Sequence, residues 1–542
     1  MKEGFRQSMA WLHTWTGLLA GWILFLIFAA GTASYYKDEI TFWMKPELHN
    51  ASRELPTDAV STERAIAFLQ QRAPASPRWT ITLPSAREPV TAVTWTAPAA
   101  KPGADTTAAP PRRARTESAH LDPATGQPLA TPRATRGGEF FYRLHFDLHY
   151  LPQPWGRWIV VICAMFMLVA IVSGVITHRR IFADFFTFRP KKGQRSWLDA
   201  HNAAAVFALP FHLMITYTGL VTVMFIYLPW GQQAVYKGGI DNFFAEVFPV
   251  SSPRPPKPAG LPTSLAPLAP MVTQAHERWH GSAVNQLIVN NPNDAKATVG
   301  LQRREGRDMA STQPTMLFDG VTGKLLSTKG DTLCVAGETR SVTYGLHLGR
   351  FANPLLRFFF FLSGLAGCLM VATGLVMWAV KERQTYAKTL ARGGRVGFGL
   401  RLVDGLNIGA VCGVPIAIAV YFWANRLLPV TMSARPDAEI AWFFTGLGLS
   451  MAAALAWPTR RMWQWQLFAG GVLFAGVPVV NALTTSSHLG RSLMNGWGSL
   501  AGVDLTCLGL GVALTVSAAW LGRKKQKPSA KHARNTSSEV PA

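Results

Sequence analysis

The sequence predicts an integral membrane protein, mostly α-helical, with about eight transmembrane helices and two small α+β extracytoplasmic domains. Three observations predict it: eight apolar runs long enough to cross a bilayer, basic clusters that fall on one side of those runs, and a duplication of the first four.

Hydrophobic residues make up 49% of the 542 and charged residues only 15%, where soluble chains carry about a quarter. Nineteen Trp and 31 Phe add the aromatic load of membrane interfaces. A net charge of +23 would suit nucleic acid in a soluble protein. Here the basic residues gather at the ends of apolar runs, where they set topology and meet anionic lipid, so nucleic-acid binding is set aside. Cys163, Cys368, Cys412 and Cys507 lie inside apolar runs, and only Cys334 sits outside one. With no CxxC or CxxCH, disulfide frameworks, iron–sulfur clusters and covalently attached haem lack support.

The apolar runs fall near 12–35, 157–178, 203–228, 355–380, 403–424, 440–457, 465–483 and 500–521. The first has small residues where a signal peptide would be cut. It also holds His13, Trp15 and Trp22, with Trp11 at its edge, and its pattern returns at 203–228, so it reads as a retained span. Segment 179–197 carries Arg179, Arg180, Arg189, Lys191, Lys192 and Arg195, and segment 381–401 carries six more basic residues. Arg460 and Arg461 follow the sixth run, and Arg523, Lys524, Lys525 and Lys527 the eighth. If the chain alternates, all these share one face, which the positive-inside rule makes cytoplasmic. Both termini are then expected inside a bacterial inner membrane, with 36–155 and 229–352 in the periplasm.

The duplication divides the chain. Trp11-Leu12-His13 is matched by Trp197-Leu198-Asp-Ala-His201, and Gly31 and Gly219 each follow their histidine by 18 residues. Leu121-Asp122-Pro-Ala-Thr125-Gly126 is matched by Phe318-Asp319-Gly-Val-Thr322-Gly323, each reading as a turn between two strands. Leu148-His149 is matched with Leu346-His347, and Ser173-Gly174-Val175 with Thr373-Gly374-Leu375. Each unit is helix, small α+β domain, helix. Strands are expected at 78–83, 91–95, 286–289 and 297–301, and a capped helix around 62–69. Segments 97–118 and 251–270, rich in Pro and Ala, read as loops. The resulting organisation is a first repeat at 1–178, a cytoplasmic loop at 179–200 and a second repeat at 201–380. A second cytoplasmic loop at 381–402, a four-helix extension at 403–522 and a basic tail at 523–542 complete it.

Six histidines form the candidate site: His13, His149, His178, His201, His212 and His347. His13, His178 and His201 fall at the cytoplasmic level, and His149 and His347 just outside the membrane. On one helix, the 11 residues from His201 to His212 leave about 20° of rotation and rise about 16 Å, which puts both on one face. Paired imidazoles from facing helices close both axial positions of a haem iron and leave an electron-transfer centre. Without CxxCH such a haem is b-type. A lone His212 also fits a helix–helix hydrogen bond, and His178, followed by Arg179-Arg180, fits a dipole-favoured helix end. The duplication preserves the pairs His13/His201 and His149/His347, which read as ligands. His145 reads as a surface neighbour of His149, and His49, His120, His276, His280, His488 and His532 as surface or loop residues. Which two histidines share an iron stays open.

The stretches His149-Tyr-Leu-Pro, Trp155-Gly-Arg-Trp, Ser173-Gly-Val-Ile-Thr-His178, Ser196-Trp-Leu-Asp-Ala-His201-Asn and Leu209-Pro-Phe-His212 resemble the PepSY-associated transmembrane helix family. The resemblance spans 1–385, and the Asp-x-x-Thr-Gly turns are similar to those of PepSY domains. It implies an iron-regulated inner-membrane protein of the siderophore-reductase branch, holding two haem b groups through the six histidines. It would pass electrons from a membrane quinol or a reductase partner to a periplasmic ferric siderophore. No nucleotide fingerprint supplies electrons within the chain. Two other functions compete: a siderophore or iron transporter without redox chemistry, and a PepSY-type regulator that binds a protein partner. The sequence indicates no catalytic acid or base.

Overall fold

The computed structural model describes residues 3–97, 115–178, 182, 189, 192, 194–237, 240–247, 256–306 and 308–523. The predicted basic tail beyond Arg523, the middle of the 97–118 segment, the start of the 251–270 segment and most of the first fifteen residues of the predicted 179–200 loop lie outside the described residues.

The first repeat opens with α1 (Glu3–Ser34), α2 (Lys37–Trp43) and α3 (Asp58–Arg72). Strands β1 (Arg78–Thr82), β2 (Thr91–Thr96) and β3 (Thr116–Leu121) follow, then α4 (Glu139–Asp147) and α5 (Gln153–Thr177). The second repeat opens with α6 (Gln194–Phe207) and α7 (Leu209–Thr222), and continues through short helices α8 (Met224–Tyr227), α9 (Pro229–Val235) and α10 (Ile240–Val247). After α11 (Ala269–Arg278) come β4 (Val284–Asn290), β5 (Thr298–Arg303), β6 (Thr315–Asp319) and β7 (Leu325–Lys329), then α12 (Val335–Leu348) and α13 (Pro354–Thr385). A short α14 (Ala387–Ala391) leads to the extension: α15 (Phe398–Val411), α16 (Gly413–Leu427), α17 (Arg435–Ala456), α18 (Arg460–Thr484), α19 (Leu489–Met494) and α20 (Gly498–Gly522).

Among the described residues, seven helical segments are long and apolar enough to span a membrane, eight if the pair α6–α7 counts as one. That pair is bent by 66° at Ala208. Pro210 explains the break, because it has no N–H for the carbonyl of Val206 and its ring crowds the preceding turn. His201 and His212 therefore do not share one face of a continuous helix, as their spacing had suggested.

The two expected α+β domains are one body. Their strands form a single antiparallel sheet of order β3-β2-β1-β4-β5-β6-β7. The seam is β1 against β4, paired from Arg78↔Asn290 to Thr82↔Gln286. Alternation places Trp79, Ile81, Val93, Leu287, Val289, Val299, Leu301 and Phe318 on one face, where Leu69 of α3 and Met271, Val272 and Ala275 of α11 cover them. The matched turns form as expected. Asp122 Oδ1 accepts from the N–H groups of Ala124 and Thr125, and Asp319 Oδ1 from those of Val321 and Thr322. Gly126 and Gly323 follow at φ 72° and 74°, a region that favours glycine.

The extension docks beside α1 and α13. Trp22 Nε1 donates to Asn407 Oδ1 at 2.8 Å, and Asn407 Nδ2 to the Leu375 carbonyl at 3.2 Å.

Candidate histidine-paired site

Four helix–helix contacts repeat one construction, in which a histidine ring lies against a glycine of the neighbouring helix. Its Nδ1 meets the carbonyl of the residue four positions before that glycine. His13 on α1 meets the Ala170 carbonyl of α5 at 2.8 Å, beside Gly174. His201 on α6 meets Met370 of α13 at 2.9 Å, beside Gly374. His145 on α4 meets Ile27 of α1 at 2.8 Å, beside Gly31, and His347 on α12 meets Ile215 of α7 at 3.0 Å, beside Gly219. A side chain on the glycine would close the gap. An added Cβ at Gly31 would stand 2.7 Å from His145 Nδ1, and at Gly219 2.8 Å from His347 Cε1.

A carbonyl can only accept, so Nδ1 carries the hydrogen in all four rings. That fixes the tautomer and leaves the Nε2 lone pair free, the arrangement of a metal-ligating imidazole with an orienting partner.

The repeats bring these rings together in two facing pairs. His13 and His201 stand 6.2 Å apart between ring centres, His145 and His347 6.0 Å. Two metal–nitrogen bonds of about 2.0 Å, plus about 1.2 Å from each ring centre to its nitrogen, give roughly 6.4 Å for a bis-imidazole site. The donors fit a haem iron. The two levels are far apart: from His13 to Ile27, the level of His145, α1 runs fourteen residues, about 21 Å.

The pair at the sheet end lies in a cavity of about 400 Å³. Ile27, Phe28, Val161, Met167, Phe211 and Ile215 make it apolar around the rings. Tyr142, Tyr344, Lys37, Arg87 and Arg350 line its outer part. The Tyr142 and Tyr344 hydroxyls stand 3.5 Å apart, one helical turn before His145 and His347. Acids hold the cations: Arg87 on Glu39 at 2.7 Å, Arg350 on Glu305 at 2.6 Å, Lys37 on Glu139 at 3.3 Å. Burial pushes the pKa of His347 down to about 3 and lowers that of His145, so both imidazoles are neutral at pH 7 and competent as ligands.

Three of the six sequence candidates fall elsewhere. His149 does not face His347. Helix α4 ends at Asp147, and Leu148 turns left-handed at φ 47°, sending His149 away to stack on Phe444 at 5.8 Å. His145, expected at the surface, takes its place. The signal was present in the sequence: Tyr142-x-Leu-His145 matches Tyr344-x-Leu-His347 better than the Leu-His pair alone. His212 is buried against Phe28 and Phe211, with Nε2 directed at the Ser363 carbonyl at 3.2 Å and Nδ1 unpartnered. Its tautomer is the reverse of the other four. His178 is the residue that closes α5, within electrostatic range of His13 and His201. His49, expected in a surface loop, is buried, with Nε2 donating to the Phe42 carbonyl at 2.8 Å.

This is a multi-pass membrane protein with an extramembrane β-sheet and buried paired histidines. The sequence profile of the PepSY-associated TM region matches residues 10–381, and the chain belongs to that family. It is similar to an uncharacterized protein of Pseudomonas aeruginosa, with 25% identity over 396 residues, covering 69% of this chain and 93% of the relative.

Proposed function

We propose that this protein is an inner-membrane electron conduit that holds two haem b groups and reduces ferric siderophore in the periplasm. The observation that carries the reading is the pair of facing imidazoles built at each of two levels, each ring tied through Nδ1. Haem held by the two imidazoles of each pair would supply a one-electron iron couple. The four histidines hold and orient. Phe28, Met167 and Phe211 keep water from the pair on the sheet side. Tyr142, Tyr344 and the surrounding cations offer hydrogen-bond donors at the mouth, where a ferric chelate would dock. One electron per iron, drawn from a membrane quinol or a reductase partner, converts Fe(III) to Fe(II), which hard oxygen ligands hold less tightly.

The test is the visible spectrum of detergent-purified protein, oxidised and dithionite-reduced, with a pyridine-haemochrome stoichiometry. Sharp b-type bands at about two haems per chain support the reading. A protein that stays colourless after haem supplementation overturns it.

A second reading, a siderophore or iron transporter without redox chemistry, draws on one observation. The 66° break between α6 and α7 beside His212 is the kind of discontinuous helix on which transporters build binding sites. Uptake of labelled siderophore by haem-free protein would favour it.

A further inference from the structure

The two helices that carry the sheet-side histidines are built unequally. Helix α12 has 14 residues, an N-cap at Cys334 whose Sγ accepts from the Gly337 N–H at 3.3 Å, and a left-handed Gly349 at its end. Helix α4 has nine residues, Gly138 at its N-cap with no side chain to offer, and a non-glycine, Leu148, in the left-handed position at its end. A helix that short with poor caps is marginal alone. Something else must hold α4.

Beyond its seats on α1, α2 and α5, the side chains of the four-helix extension do so. Phe140 and Phe141, the second and third residues of α4, are buried against Tyr421 of α16 at 4.9 and 5.3 Å between ring centres. Phe443 of α17 closes on Phe140 at 5.0 Å. Tyr421 Oη donates to the Gly137 carbonyl at 3.0 Å, one residue before the N-cap. The segment leading into α4 is held as firmly. Thr135 Oγ1 donates to Glu439 at 2.5 Å, Arg435 donates to the Ala134 carbonyl at 3.0 Å, and Arg133 Nη1 to the Asn425 carbonyl at 2.8 Å. Arg435 and Glu439 form an ion pair with no exposed surface. Helix α12 is seated on α7, as α4 is on α1, and on α10 rather than on the extension.

We propose that the extension is a brace for α4, and that Tyr421 is a positioning residue for His145. The brace itself rests on contacts within the chain; its effect on a bound group rests on the reading of His145 and His347 as ligands. A buried aromatic cluster and a buried ion pair supply from outside the order that the caps of α4 lack. The second repeat needs no counterpart, because α12 is capped at both ends.

The experiment uses the full-length protein in detergent and the variants Tyr421→Ala, Tyr421→Phe and Thr135→Val. Amide hydrogen exchange is read in 137–147 and 337–347, and the redox midpoints of any bound haems are titrated. Tyr421→Ala is expected to raise exchange in 137–147 by about tenfold or more with 337–347 unchanged. It should also shift the midpoint of the couple that His145→Ala removes, and leave the other couple in place. Tyr421→Phe keeps the ring contacts and should restore most of the protection. Thr135→Val, which leaves the buried aromatics untouched, should loosen 137–147 in the same direction should Tyr421→Ala fail to fold. Exchange that rises equally in both segments, or in neither, overturns the brace. Wild-type protein without haem would defeat the proposed function and leave the exchange comparison decisive for the brace.

Discussion

His145 and His347 face each other at 6.0 Å, each tied through Nδ1 to a backbone carbonyl of a different transmembrane helix, Ile27 and Ile215. Four helices thus fix the direction of two lone pairs. The same construction at His13 and His201 makes the pattern a property of the repeat rather than a local accident of packing.

The sharpest expectation separates neighbours. His145→Ala should lower the haem content from about two per chain to about one, while His149→Ala keeps both. Pyridine-haemochrome analysis of the two variants decides it, and loss in His149→Ala with His145→Ala unchanged would return the assignment to His149.

The glycines should rank by clearance. An added Cβ would stand 2.7 Å from the ring of His145 at Gly31, but 3.2 Å from that of His201 at Gly374. Gly31→Ala is expected to displace the ring and lose the sheet-side haem, or convert it to a high-spin spectrum. Gly374→Ala should need a shift of only a few tenths of an ångström and keep a low-spin spectrum at the other level.

His212→Leu should leave both haems in place. A single intramembrane hydrogen bond is worth about 0.6 kcal/mol, so thermal unfolding should move by no more than a few degrees. Loss of a haem in this variant would show that His212 ligates after all.

The pH dependence has a defined sign at His49. Burial lowers its pKa from 6.5 to about 3, so the folded protein resists a proton that the unfolded chain accepts. The stability it contributes is complete above 6.5 and is lost as pH falls from there toward 3. From pH 6.5 to 5 the loss is about 2 kcal/mol. Wild-type melting temperature should fall more steeply over that interval than that of His49→Gln, and parallel slopes would contradict the assignment.

The sequence carried His13 and His201 as candidates, because both keep register with Gly31 and Gly219 across the duplication, while leaving open which histidines face each other. The sheet-side pair was misread because Leu144-His145 and Leu148-His149 offer the same dipeptide. What separates them is the left-handed turn at Leu148, a backbone state that a leucine does not advertise. The Asp-x-x-Thr-Gly turns were legible because aspartate bonds its own backbone two residues on and glycine takes the positive φ. The union of two domains into one sheet was not, since the β1–β4 register joins residues about two hundred apart and no local pattern records it. The bend at Ala208 could have been read from Pro210 alone.

That shared sheet bears on motion as well as on shape. Alternating access needs two halves free to tilt against each other. Here five consecutive residue pairs of β1 and β4 stitch the halves together on the sheet side, with Trp79 and Val289 packed in the same core. Tilting the repeats would tear a ladder of backbone hydrogen bonds with nothing to replace them. Such a frame suits cargo that needs no doorway, an electron rather than an iron chelate, and the metal would stay on the side where it arrived.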